Sequence, residues 1–171
     1  MGIKSIIRQI IREYKVKRWT KIIRTTAKNC GDKLRVNYPS CVTPNTELGN
    51  NVNFNGMRIL GYGKVVIGDN FHSGTNCKML SSIHNYDNGT TIPYDSVMIP
   101  KDINIGDNVW FGDDVMILGG VTLGEGCIIQ AGSVVVSDVP DCAIAGGHPA
   151  RVFKYRDKDH YYSLKSQKAF M

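Results

Sequence analysis

Between Ile105 and Pro140 a large apolar residue returns at every sixth position, in the blocks IGDNVW, FGDDVM, ILGGVT, LGEGCI, IQAGSV and VVSDVP. Ile105, Phe111, Ile117, Leu123, Ile129 and Val135 take the first place of each block. Small or β-branched residues (Val109, Val115, Val121, Cys127, Ser133, Val139) take the fifth, and Gly commonly takes the second. A period of six matches neither the 3.6 of a helix nor the alternation of a strand, so the pattern predicts a solenoid of short strands and turns. Three blocks make one triangular coil. First-place side chains stack inside it, and Gly or Asp-Asn pairs relieve corners that need positive φ.

The register continues upstream, with Ile67, Ser73 and Met79 in first place and Phe71, Cys77 and Ile83 in fifth. Weaker blocks begin at Leu48, Phe54 and Leu60, one extra residue separates Leu60 from Ile67, and Asn85 to Lys101 breaks the rhythm. The expected fold is an all-β solenoid, a parallel β-helix of about five coils. It covers residues 42–142 with an excursion loop at 85–101, between a basic helical segment at 1–35 and a C-terminal tail at 143–171. Six consecutive in-register blocks weigh against a β-sandwich of short strands.

At 171 residues the chain is sized for one domain. No stretch reaches the apolar length that spans a bilayer, and the N-terminus is too charged after Gly2 for a secretory signal, which leads to an expected cytoplasmic location. Five cysteines at irregular spacing, with no CxxC pair, suggest neither a disulfide framework nor a zinc knuckle. Cys77 and Cys127 fall on fifth places and read as small core residues.

Charge is unevenly spread. Residues 1–35 carry eleven Lys or Arg against Glu13 and Asp32, a formal +9, which leaves −3 for the rest of a chain totalling +6. Within that segment Ile3, Ile6, Ile7, Ile10, Ile11 and Tyr14, then Trp19, Ile22 and Ile23, recur at helical spacing, so it reads as a basic amphipathic helix. It could cap the solenoid or a neighbouring subunit, or touch an anionic membrane or lipid-linked substrate. Nucleic acid is disfavoured, because no interleaved base-stacking aromatics accompany the charge.

Of the four histidines His72, His84, His148 and His160, His84 stands out: it ends the upstream run MLSSIH where the excursion begins. A residue at such a junction is held by scaffold yet open to a ligand, and imidazole is suited to accept a proton near neutral pH.

The run VWFG, then ILGGVTLGEGCIIQAGSVVVSDVP, then AGGHPARVFKYRD, together with IGDNFHSGTNCKMLSSIH and RDKDHYY, resembles the left-handed β-helix, hexapeptide-repeat acyltransferases that use acetyl-CoA. The resemblance covers about residues 48–156 and is strongest to galactoside, maltose and polysaccharide O-acetyltransferases. It implies His84 as the base that deprotonates an acceptor hydroxyl, with the Asp113 backbone N–H as oxyanion donor. Asn53 of the NFN triplet matches a substrate-binding asparagine of the family. Asn85, Tyr86, Asp87, Tyr94 and Asp95 in the excursion are further candidate acceptor contacts, and Trp110 resembles the family's tryptophan beside the pantetheine arm and the acceptor. Gly112, Ala131, Gly146 and Gly147 match small positions along that arm, Arg151 matches the basic position that meets the CoA phosphates, and Lys154 or Arg156 would share those contacts. Ser137 stands where the family often has a lysine.

The resemblance also implies a homotrimer with acetyl-CoA as acyl donor, no metal, and a sugar or polysaccharide acceptor in surface-glycan synthesis. Xenobiotic acetylation and amino-sugar N-acetylation would use the same His84. A serine O-acetyltransferase lacks support, since no large N-terminal helical domain precedes the repeats. A γ-type carbonic anhydrase needs three histidines meeting across coils, and only His72 and His84 lie in suitable blocks. A non-catalytic scaffold is the remaining alternative.

Overall fold

The structure is a computed structural model that describes residues 2–171. Short strands stack into three parallel faces. One face holds Asn29–Cys30, Thr46–Leu48, Val65–Ile67, Ile103–Ile105 and Thr122–Leu123; another holds Arg58–Leu60, Lys78–Leu80, Met116–Leu118 and Val134–Val135. The widest face runs Arg35–Tyr38, Asn53–Asn55, His72–Thr75, Trp110–Phe111, Ile128–Ile129 and Ala143–Gly147, and Ala150–Tyr155 folds back antiparallel on its last strand.

The columns expected from the period are present. Leu48, Ile67, Ile105 and Leu123 are in register on one face, and Met79, Ile117 and Val135 on another, all buried. Phe54, Phe71 and Phe111 stack edge to face along the interior at centroid distances of 5.9 and 4.9 Å. Cys77 and Cys127 are buried, and burial pushes their thiols up to about 11 and about 12.

Three details differ from the sequence reading. The third weak block starts at Ile59 rather than Leu60: Ile59 pairs with Met79 and is buried, while Leu60 faces outward beside Leu80. Packing sets the register there, because Met57 also turns inward and shortens the Phe54 block. The first coil begins at Asn29, where Asn29 and Cys30 pair with Glu47 and Leu48, ahead of the expected residue 42. The C-terminal tail contains a second helix, α2, Lys158–Ser166, capped by the Asp157 carboxylate accepting from the His160 N–H at 3.0 Å; α1 is the N-terminal helix Ile3–Thr26.

The corners divide the labour between two places of each block. Fourth-place residues take the positive φ: Asn51, Asn70, Asn76, Asn108, Asp114, Gly120, Gly126 and Gly132. Second-place Gly serves close approach instead. A Cβ on Gly68 would collide with the Asp107 carboxylate and lie 2.8 Å from the Asp107 nitrogen, because that carboxylate accepts the Asp69 N–H at 2.8 Å. Each coil thus caps exposed N–H groups of the coil before it. The fourth-place asparagines also form a ladder, Asn51 to Asn70 at 3.0 Å and Asn70 to Asn108 at 2.9 Å. It ends on Tyr161 of α2, which accepts from Asn108 and donates to Glu125, each at 2.9 Å.

α1 closes the open end of the solenoid, but only with its second half. Val16 and Ile23 are buried, Trp19 is half-buried, and Thr20 Oγ1 accepts the Val36 N–H at 3.1 Å. Residues 3–12 are all exposed, so the first turns pack into no core. Among the described residues no helix is long and apolar enough to cross a membrane.

Candidate active site

The strand Ser82–His84 pairs antiparallel with Met98–Pro100, Met98 opposite His84, so the chain leaves the solenoid as a two-stranded ribbon. His84 is exposed at its tip side, and its imidazole stacks on the Tyr94 ring, centroids 3.8 Å apart and planes at 19°. Asp95 organises the loop. Its carboxylate accepts from the Val97 N–H at 2.9 Å, the Asn85 Nδ2 at 3.0 Å and the Thr90 N–H at 3.3 Å. The Val97 contact foremost holds that carboxyl below the usual range. Asn85 is therefore engaged inside the loop, while Tyr86 and Asp87 are exposed.

On the wide face the register places Arg35, Asn53, His72, Trp110, Ile128 and Ile144 in one outward row. Asn37 Nδ2 donates to Asn53 Oδ1 and to Asn55 Oδ1, each at 2.9 Å, which fixes the Asn53 amide. His72 Nε2 is buried without a hydrogen-bond partner among the described residues, and burial lowers the pKa of the ring.

Trp110 is 52% exposed and separates two grooves. One, of about 490 Å³, is lined by Gly112, Asp113, Ala131, Ile144 and Phe153 as well as the indole. A Cβ on Gly112 would stand 2.6 Å from the Ala131 nitrogen, so a flush wall depends on Gly there. The Asp113 carboxylate accepts the Thr75 N–H at 2.6 Å and the Thr75 hydroxyl at 3.0 Å, the first of which chiefly lowers its pKa. The Asp113 N–H itself meets no acceptor among the described residues. The other groove, of about 420 Å³, runs under α2 and is lined by His72, Asn108, Arg156, Tyr161 and Phe170.

Trp110, Gly112, Asp113 and Ala131 are thus brought together, with Asn53 two strands along the same row. Gly146 and Gly147 lie on the next strand opposite Arg151 and Ala150, and Lys154 faces Ile144. His84 lines neither groove beside Trp110. Tyr94, expected as an acceptor contact, stacks on His84 instead, and His72 as the neighbour of Trp110 was not foreseen. The second was discoverable: His72 and Trp110 each hold the sixth place of an IGDN block, and equal places stack.

The Bacterial transferase hexapeptide (six repeats) family matches residues 102–137. A candidate acetyltransferase of Saccharomyces cerevisiae is 34% identical over 82% of this chain and 72% of its own length. Galactoside O-acetyltransferase of Escherichia coli is 35% identical over 72% of this chain, which spans 61% of that enzyme, less than two thirds. A hexapeptide-repeat-containing acetyltransferase of Vibrio cholerae superposes with a TM-score of 0.68 at 29% identity, over 77% of this chain and 76% of that one. The same Vibrio protein has been solved in complex with acetyl-CoA, where the match is 30% identical with a TM-score of 0.62, over 77% of this chain and 73% of that one.

Proposed function

The chain belongs to the hexapeptide-repeat acetyltransferases, and from that premise we propose that it transfers the acetyl group of acetyl-CoA to a saccharide hydroxyl. The observation that carries this reading is the flush-walled groove beside Trp110, in a chain that also presents an exposed, Tyr94-stacked imidazole elsewhere on its surface. The pantetheine arm would run past Gly112 and Ala131, and Arg151 and Lys154 would meet the CoA phosphates. His84 would take the acceptor's proton as its oxygen bonds the acetyl carbon, and return it to the thiolate released when the thioester C–S bond breaks. The free Asp113 N–H would bind the oxyanion, a contribution of about 3–4 kcal/mol to the barrier.

Since His84 lines neither groove at Trp110, the reading needs a second copy to bring the ribbon across, as in a homotrimer with three interfacial sites. Use of acetyl-CoA would put the work in the cytoplasm, with precursors or polymers of a surface glycan as acceptors. The first half of α1 would rest on the membrane's inner face, its isoleucines toward the lipid.

Calorimetric titration with CoA and acetyl-CoA, followed by thiol release against a sugar panel, tests the core of this. Sugar-dependent release lost in His84→Ala supports it; a folded protein that binds no CoA overturns it. Acetyl groups that resist mild base would reassign the acceptor atom from oxygen to an amino-sugar nitrogen.

A further inference from the structure

A third concave surface lies between α1 and the wide face. This groove, of about 530 Å³, is lined by Arg8, Arg12, Lys15 and Arg18 together with Trp19 and Tyr38. Positions 8, 12, 15 and 19 follow one another at i, i+4, i+7 and i+11, so they share one side of the helix along roughly 16 Å of its axis. The Arg18 guanidinium lies 5.5 Å over the Trp19 ring. None of the four cations takes part in a salt bridge among the described residues. The helix's one acid, Glu13, is committed elsewhere, to Arg35 at 3.3 Å.

Like charges one turn apart repel and weaken the helix that carries them. Lining a concave surface with four of them, beside two aromatic rings, is the arrangement that a bound anion would relieve. The groove also has a direction. Asn37 and Asn55 form part of its wall, and Asn37 holds Asn53, the neighbour of His72 in the row that reaches Trp110. The Arg35–Tyr38 and Trp110–Phe111 strands are three steps apart on this face, roughly 14 Å at the usual strand spacing.

We propose that the Arg8–Arg12–Lys15–Arg18 groove binds an acidic glycan strand, so that the acceptor is a polyanionic saccharide held by its carboxylates while a hydroxyl a few residues along reaches the Trp110 site. Cations spread one per turn suit charges repeated along a polymer better than a single compact diphosphate. The aromatic rings suit the faces of sugar rings. The acceptor role rests on the acetyltransferase reading; the binding itself does not.

The test is calorimetry on the full chain without CoA, using hexagalacturonate, a hyaluronan hexasaccharide, neutral maltohexaose and inorganic pyrophosphate, in wild type, Arg12→Gln/Lys15→Gln and the remote control Lys28→Gln. The expected result is binding of at least one acidic hexasaccharide and not of maltohexaose. The double variant should weaken it at least tenfold, the control should not, and binding should decline steeply between 50 and 300 mM salt. Both substituted side chains are exposed, so thermal unfolding should match wild type. No binding of either acidic glycan, or binding that the double variant leaves intact, overturns the proposal. Pyrophosphate binding as tight as the hexasaccharides would reassign the groove to phosphate. Phosphatidylglycerol vesicles that capture wild type but not the double variant, with no competition from hexagalacturonate, would reassign it to lipid. Intact glycan isotherms in a protein that binds no acetyl-CoA would sink the transferase reading while leaving the groove standing.

Discussion

The His84 imidazole lies nearly parallel to the Tyr94 ring, 3.8 Å away, although nine residues of loop separate them in the chain. The contact restricts the rotation of an otherwise exposed base, and Asp95 beside it ties the loop so that Tyr94 stays in place. Stacked pairs contribute about 0.5–1.5 kcal/mol, so Tyr94→Ala should lower kcat by about two- to tenfold with KM for acetyl-CoA unchanged. Tyr94→Phe should restore it. Steady-state kinetics of both variants check this, and an unchanged kcat in Tyr94→Ala would remove Tyr94 from the site.

His84→Ala should lower kcat by about 10²- to 10⁴-fold, the usual contribution of a general base. CoA affinity should remain within twofold, since neither groove at Trp110 includes His84. Calorimetry and thiol release on the same preparation separate the two effects.

His72 gives the fold a pH dependence of its own. Burial lowers its folded pKa below the unfolded value near 6.5, so the native ring stays neutral where the unfolded ring takes a proton. Its share of stability is complete above the unfolded pKa and declines as pH falls from there toward the folded pKa. Melting temperatures at pH 5.5 and 7.5 should therefore differ less in His72→Leu than in wild type. An equal difference would show that other groups set the slope.

Gly68→Ala should destabilise although the backbone there needs no positive φ. The new methyl displaces the Asp107 carboxylate from the Asp69 N–H that it caps. The expected cost is about 1–3 kcal/mol, as for other overpacked sites. Denaturant melts of Gly68→Ala measure it directly, and a shift within error would refute the close-approach role of second-place Gly.

The first turns of α1 carry Ile3, Ile6, Ile7, Ile10 and Ile11 in the open. At 100° per residue, this stripe points away from the Val16 and Ile23 face that caps the solenoid. Ile7→Glu/Ile10→Glu should abolish sedimentation with phosphatidylglycerol vesicles while leaving the melting temperature within about 2 °C, because Ile7 and Ile10 touch no core. If the pair instead changes the oligomeric mass in light scattering, a second copy covers the stripe.

The period of six determined most of the fold by itself, because a solenoid repeats one local solution and each first-place residue stacks in register on its counterparts in adjacent coils. Ile105, Phe111 and Ile117 could be placed inside from spacing alone, and His84 stood out as the point where the rhythm stops. Where the rhythm was imperfect, only packing decided. Ile59 rather than Leu60 faces inward because Met57 fills the space beside it, and Asn29 starts the first coil because the Thr46–Leu48 strand supplies backbone partners that no hydrophobic pattern announces.

The site divides in the same way. The identities of His84, Trp110 and Gly112 were legible, since local motifs carry them. The stacking of Tyr94 on His84, the unpartnered nitrogen of His72 and the convergence of four α1 cations on Tyr38 were not. They depend on how a loop folds back and on which side of α1 lies against the wide face. Those are contacts between segments that share no period, and they are fixed by tertiary packing, not by the repeat.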